Sequence, residues 1–158
     1  MDRTVLQRVE ELLDQHSVKF EILRHAPVYT SQEAAAVRGS SLSSGAKALI
    51  CKCDTQMAMF VLPADRRLAS KRIRREHHWR KLRFATNEEV LAITALTPGA
   101  IPPFGSLFGL TTYCDPALSQ HEQINFNAGD HAISICMRSA DFLQVEQPHM
   151  TTCAELPR

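Results

Sequence analysis

Lys47 is the residue whose chemistry is most out of keeping with its neighbours. It follows Ser44-Gly45-Ala46 and precedes Ala48, Leu49, Ile50 and Cys51, a run that is apolar on both alternating faces. A lysine is almost never fully buried without a partner. Either its ammonium snorkels from a strand edge to water, or it stands at the mouth of a cavity and binds an anion; both readings stay open on spacing alone. A second feature is Thr97-Pro98-Gly99-Ala100-Ile101-Pro102-Pro103-Phe104-Gly105. Three prolines remove donors and two glycines free the backbone, so this is a shaped loop and not a helix interior. Such a loop can turn its peptide groups toward a ligand, because glycine permits close approach, although a plain structural turn is the commoner use. His131 follows the turn Asn127-Ala128-Gly129-Asp130 and opens an apolar strand. By itself it reads as a satisfied core histidine first and a hydrogen-bonding site residue second.

Charge is distributed unevenly. The net charge is only +1, yet nine of the 18 lysines and arginines lie between Arg66 and Arg83, opposed by the single carboxylate of Glu76. Helix faces usually mix signs for i,i+4 pairing, so this run, with Trp79 inside it and Phe84 just beyond, has the character of a phosphate-binding surface. Arg66, Arg67, Lys71, Arg72, Arg74 and Arg75 are its candidate contacts. The alternative is an ordinary solvated helix face. Cys51 and Cys53 share a strand face, but no matching Cys or His pair has zinc-site spacing, and His77-His78 belongs with the basic surface. No glycine-rich phosphate loop of the recognised spacings occurs, so nucleotide hydrolysis is not indicated.

The elements that must position these residues follow from periodicity. Val5, Leu6, Val9, Leu12 and Leu13 predict an amphipathic helix over residues 3–16. Phe20, Ile22 and Leu23 suggest a short strand, and Thr30 with Glu33 forms a capping-box pattern before a short second helix. Residues 46–53 and 57–62 read as a hairpin buried on both sides. Residues 65–79 are rich in helix formers, 81–85 suit a strand, and Thr86 with Glu89 repeats the capping box. Gln123–Phe126 and Ala132–Met137 flank a second hairpin turn; Ser139 starts a last short helix, and Phe142–Val145 is expected to be a closing strand. This mixture lacks regular βαβ alternation, which predicts an α+β domain.

A chain of 158 residues fits one domain spanning 1–158, since that length can bury roughly 70% of its unfolded surface. Hydrophobic and charged fractions of 44% and 22% argue against disorder and against a membrane span. The start, Met1-Asp2-Arg3, runs directly into the amphipathic pattern without the apolar segment of a secretion signal. Five cysteines in no framework fit reduced thiols, so a cytoplasmic location is expected.

Taken in order, Ser44-Gly45-Ala46-Lys47-Ala48-Leu49, Val61-Leu62-Pro63-Ala64-Asp65-Arg66-Arg67-Leu68, Thr94 through Gly105 and Asn127-Ala128-Gly129-Asp130-His131 resemble the YbaK/prolyl-tRNA synthetase editing-domain family. The resemblance covers most of the chain. It implies a mixed, strongly bent β-sheet or barrel with surrounding helices, and a free-standing deacylase that removes a small amino acid from mischarged tRNA. Alanine is the first expected amino acid, with serine, threonine or cysteine next, and tRNA(Pro) the expected carrier. In the family the strand lysine is required for activity, a Gly-x-x-x-Pro loop lines the pocket and a histidine often occupies the late turn. These correspond to Lys47, to Gly99 with Pro103, and to His131. Lys47, Gly99 and His131 are therefore the candidate catalytic residues, and Thr30, Ala100, Ile101, Pro103, Asn127 and Gly129 the candidate substrate-binding ones. Aminoacyl-tRNA is the implied partner, a synthetase or elongation factor a further one; no cofactor, metal or membrane is implied. The family commonly has Thr-Gly before the loop, where this chain has Thr94-Ala95. The rival reading is a non-catalytic tRNA-binding or regulatory module with the same fold.

Overall fold

The structure, a computed structural model, describes residues 3–157. In chain order the elements are α1 (Val5–Gln15), β1 (Phe20–Arg24), α2 (Ser31–Arg38), β2 (Ala46–Cys53), β3 (Gln56–Pro63), β4 (Arg67–Leu68), α3 (Ser70–Glu76) and β5 (Leu82–Phe84). There follow α4 (Asn87–Thr94), β6 (Thr111–Cys114), β7 (Gln123–Asn127), β8 (Ile133–Arg138), α5 (Ser139–Glu146), β9 (His149–Met150) and β10 (Ala154–Glu155). The strands form a five-stranded sheet ordered β5-β2-β3-β6-β9, a three-stranded sheet ordered β1-β8-β7, and a β10-β4 pair. A single bridge between Gly45 and Asn125 joins the two larger sheets, and the described strands do not close into a barrel.

The β2–β3 hairpin is the centre of the molecule, and its burial on both faces follows from strand alternation. Ala46, Ala48 and Ile50 of β2 with Met59 and Val61 of β3 enter the main core, which also takes Phe104, Phe126, Ile135 and Phe142. Cys51, Cys53, Ala58, Phe60 and Leu62 turn the other way, into a second cluster with Leu68, Ile73 and Cys153. Burial pushes the thiols of Cys51, Cys114 and Cys153 up to about 12, so these cysteines are packing groups and poor nucleophiles. No described helix is long and apolar enough to cross a membrane.

Local signals define most element starts. Thr4 and Gln7 form a complete capping box on α1, and Thr86 and Glu89 another on α4. At α2 the Thr30 hydroxyl accepts from the Glu33 N–H (3.1 Å), but the Glu33 carboxylate reaches back to Tyr29 N instead of Thr30 N, so the box is displaced by one residue. Two expectations are corrected. Phe142–Val145 lies inside α5, because Phe142 is fully buried in the main core while α5 packs along β8; the closing strands are β9 and β10. The segment 65–79 is helical only over α3, since Arg67–Leu68 pairs with Ala154–Glu155.

Ala95 occupies a position whose backbone favours glycine. It caps α4 in the left-handed conformation, φ 62° and ψ 22°, where a Cβ is strained by roughly 1–2 kcal/mol. Ala95→Gly is therefore expected to stabilise the chain by about 1 kcal/mol net of glycine's greater unfolded-state entropy, a rise of roughly 2–4 °C in Tm. Thermal melting checks this, and an unchanged or lower Tm contradicts it.

Candidate active site

A cavity of about 170 Å³ opens where the two sheets part. Strand β5 pairs only with Cys51–Cys53 of β2, so residues 46–49 have no strand on that edge and form one wall together with Gly45. Thr30 and α2 form the opposite wall, and Gly99, Ile101, Asn127 and His131 complete the lining. Lys47, Gly99 and His131, far apart in the chain, thus meet around one space, with Thr30, Ile101 and Asn127 beside them.

Lys47 is half-buried, and its Nζ donates to the Arg66 carbonyl in the turn after β3. Burial holds its pKa below the usual lysine value while Asp65 pulls it back up. Asp65 has one carboxylate oxygen buried without a hydrogen bond, and it was not apparent from spacing that this acid would face the lysine.

Gly99 has φ +90°, a conformation closed to most L-residues, and a Cβ built there would lie 3.4 Å from His131 Cε1. Its carbonyl accepts from Asn127 Nδ2 at 2.7 Å. The expectation that Ala100 offers its amide to substrate is corrected: Ala100 N–H donates to Thr97 O (3.2 Å) and the residue is buried. Gly99 and Ile101, by contrast, have backbone N–H groups with no partner among the described residues. Pro103 and Gly129 do not line the cavity either. Pro103 is buried, and Gly129 donates to Ala100 O (2.8 Å), while a Cβ built on Gly129 would stand 3.0 Å from Val5 Cβ of α1.

Both ring nitrogens of His131 are engaged. Nδ1 lies 3.1 Å from the Val28 carbonyl, which can only accept, so Nδ1 carries the proton and Nε2 takes the Thr97 hydroxyl hydrogen at 2.9 Å. His131 therefore ties the Val28 segment to the proline loop. Tyr29, 73% exposed, packs its ring 4.8 Å from that of His131 at the cavity mouth.

Sequence reasoning missed Arg38. In the last turn of α2, its Nε donates to Ser134 Oγ (2.8 Å) and its Nη2 to Asn127 Oδ1 (2.9 Å). An arginine ending an alanine-rich helix has no local signal that separates it from a favourable dipole partner.

The basic run divides by position. The Arg72 guanidinium holds the Thr152 and Ala154 carbonyls and Arg67 pairs with Glu155 (3.0 Å), so these two bind the C-terminal segment. Arg66 sits beside Lys47 and lies 3.7 Å from Asp65. Among the described residues, Lys71, Arg74, Arg75, Arg80 and Lys81 are exposed and make no ion pair. Trp79 is not a free stacking platform, since its ring stacks on His77 (4.5 Å) and meets Phe60 and Tyr113 edge-on.

Residues 25–145, well over half of the chain, match the aminoacyl-tRNA editing domain family. The chain belongs to that family. This editing domain is an aminoacyl-tRNA hydrolase. A curated relative, the Multifunctional Ser/Thr-tRNA deacylase ProXp-y of Escherichia coli (strain K12), is 32% identical over 149 residues, 91% of this chain and 89% of the relative. A crystal structure of a candidate trans-editing enzyme for prolyl-tRNA synthetase shares the fold, with TM-score 0.84 and 21% identity over 98% of this chain and 99% of that one. A hypothetical protein superposes with TM-score 0.86 and 22% identity, over 94% and 99% of the two chains.

Proposed function

We propose that this editing domain deacylates tRNA carrying serine or threonine. The observation that carries the reading is the cavity itself: about 170 Å³, below the roughly 300–1,000 Å³ of drug-sized pockets. Its lining combines small alanines (Ala34, Ala35, Ala46, Ala48, Ala64) with Thr30, Ser31 and Asn127. Such a wall admits a small side chain and offers partners to a hydroxyl. Alanine, first in the sequence-based ranking, moves behind serine and threonine, because a polar wall rewards the hydroxyl and the relative's name points the same way. A site that hydrogen-bonds a hydroxyl discriminates better than one that senses a single methylene, worth about 1–3 kcal/mol.

The ester is already activated, so positioning and charge stabilisation supply most of the acceleration. The Lys47 ammonium faces the ribose end or terminal phosphate of the tRNA. The unpartnered N–H groups of Gly99 and Ile101 receive the developing oxyanion, while His131 and Asn127 hold the loop that presents them. The buried thiols are no nucleophiles, and water attacks directly, helped by the tRNA's neighbouring hydroxyl. The exposed cations of the basic run contact the acceptor-stem phosphates, and the free cysteines support work in the reducing cytoplasm.

A single-turnover screen of Ser-, Thr-, Ala- and Cys-charged tRNA, beginning with tRNA(Pro), tests the reading. Serine and threonine esters should be hydrolysed fastest. Fastest removal of alanine overturns the preference, and no hydrolysis of any of the four overturns the proposed substrate class.

A further inference from the structure

We propose that Arg38 is a second substrate-binding cation, whose free Nη1 takes the phosphate on the 5′ side of the terminal adenosine; this rests on the tRNA reading above and names the part of the substrate that the α2 wall recognises. Arg38 lines the cavity, and its Nη1 lies beside Gly45, where a built Cβ would stand 3.7 Å away. Its other two nitrogens each donate to a neutral group, Nε to Ser134 Oγ and Nη2 to Asn127 Oδ1. No carboxylate lies within ion-pair distance of it among the described residues.

The surroundings hold Arg38 in place without neutralising it. His25 Nδ1 donates to the Ala26 carbonyl, so its Nε2 accepts the Ser134 hydroxyl hydrogen (2.8 Å), which turns the Ser134 lone pairs toward Arg38 Nε. Burial lowers the guanidinium to about 10, so it is still charged near neutral pH. A half-buried cation without a counter-ion is unfavourable in the empty protein and relieved when an anion arrives. Two of its three nitrogens are locked, so the third is oriented in advance, and charge-assisted arginine–phosphate bonds are among the strong ones. A neutral hydrogen-bonding side chain would serve as well if Arg38 only tied α2 to the β7–β8 hairpin.

The test separates phosphate binding from support of the Gly99 loop through Asn127. Wild type, Arg38→Gln and Arg38→Lys are compared on seryl-tRNA, on 3′-O-seryl-adenosine 5′-phosphate and on the phosphate-free 3′-O-seryl-adenosine. For wild type the 5′-phosphate should lower KM. Arg38→Gln should lose about ten- to hundredfold in kcat/KM on both phosphate-bearing substrates, chiefly through KM, and gain much less than wild type from the added phosphate. Arg38→Lys, which keeps the charge without the fork, should recover part of the loss. Equal losses with and without the phosphate would assign Arg38 to the loop and overturn the proposal, as would no loss on any substrate. If Arg38→Gln fails to fold, the Arg38→Lys comparison carries the same decision. Absence of wild-type activity on seryl-tRNA would instead count against the function proposed above.

Discussion

Replacing Lys47 by alanine is expected to lower single-turnover deacylation by about 10²–10³-fold, the range seen when one transition-state-stabilising donor is removed, while the protein stays folded. Among the described residues the ammonium makes one hydrogen bond, to the Arg66 carbonyl; losing it costs about 1 kcal/mol, partly offset because a half-buried charge no longer needs desolvation. Rate and stability should therefore separate sharply. Because burial sets the Lys47 pKa below the usual lysine value, its charge is lost as pH rises through that lowered value. The enzymatic rate, corrected for spontaneous ester hydrolysis, should fall there, and Lys47→Arg should remove this alkaline limb in whatever activity it retains. Alanine-variant activity within a few-fold of wild type would take Lys47 out of the chemistry.

Gly99→Val should have the other large effect. At φ +90° any side chain is strained, by about 1–3 kcal/mol, and the added Cβ meets His131 Cε1 at 3.4 Å before the branched methyl groups are placed. The loop then either shifts or displaces the ring that ties it to Val28 and Thr97. Deacylation should drop by about 10²–10³-fold, whereas affinity for uncharged tRNA, governed by the exposed cations, should change little. Gly99→Ala grades the effect, since a lone Cβ at 3.4 Å is ordinary contact and leaves mainly the backbone strain. Equal losses of turnover and affinity, with unfolding excluded by thermal melting, would make Gly99 a docking residue; no loss in either would remove the loop from the site.

Much of the fold was legible because it is encoded over short stretches. The Thr86/Glu89 box, the two-faced apolar run of β2 and β3 and the turn before His131 are local patterns, each with one dominant physical outcome. The family resemblance likewise rests on ordered short motifs, and it brought Lys47, Gly99 and His131 together before any geometry was known. Phe142–Val145 shows the limit of such reading. A four-residue apolar stretch suits a buried strand or a buried helix turn equally, and it became helix because α5 had to set Phe142 against Phe104 in the main core.

The roles of the site residues depended on contacts between distant segments. Spacing shows that the proline loop cannot be helical, but not that Ala100 would spend its amide on Thr97 and leave Gly99 and Ile101 free. Nor does it show that both nitrogens of His131 would be occupied by Val28 and Thr97. Arg72 and Arg67 look like phosphate ligands until the C-terminal segment folds back onto them. Arg38 was invisible for the same reason: its partners Asn127 and Ser134 are 89 and 96 residues away. Local sequence encodes backbone preference and side-chain type, whereas the partner of a polar group, and hence what it has left for substrate, is set when remote strands close around it.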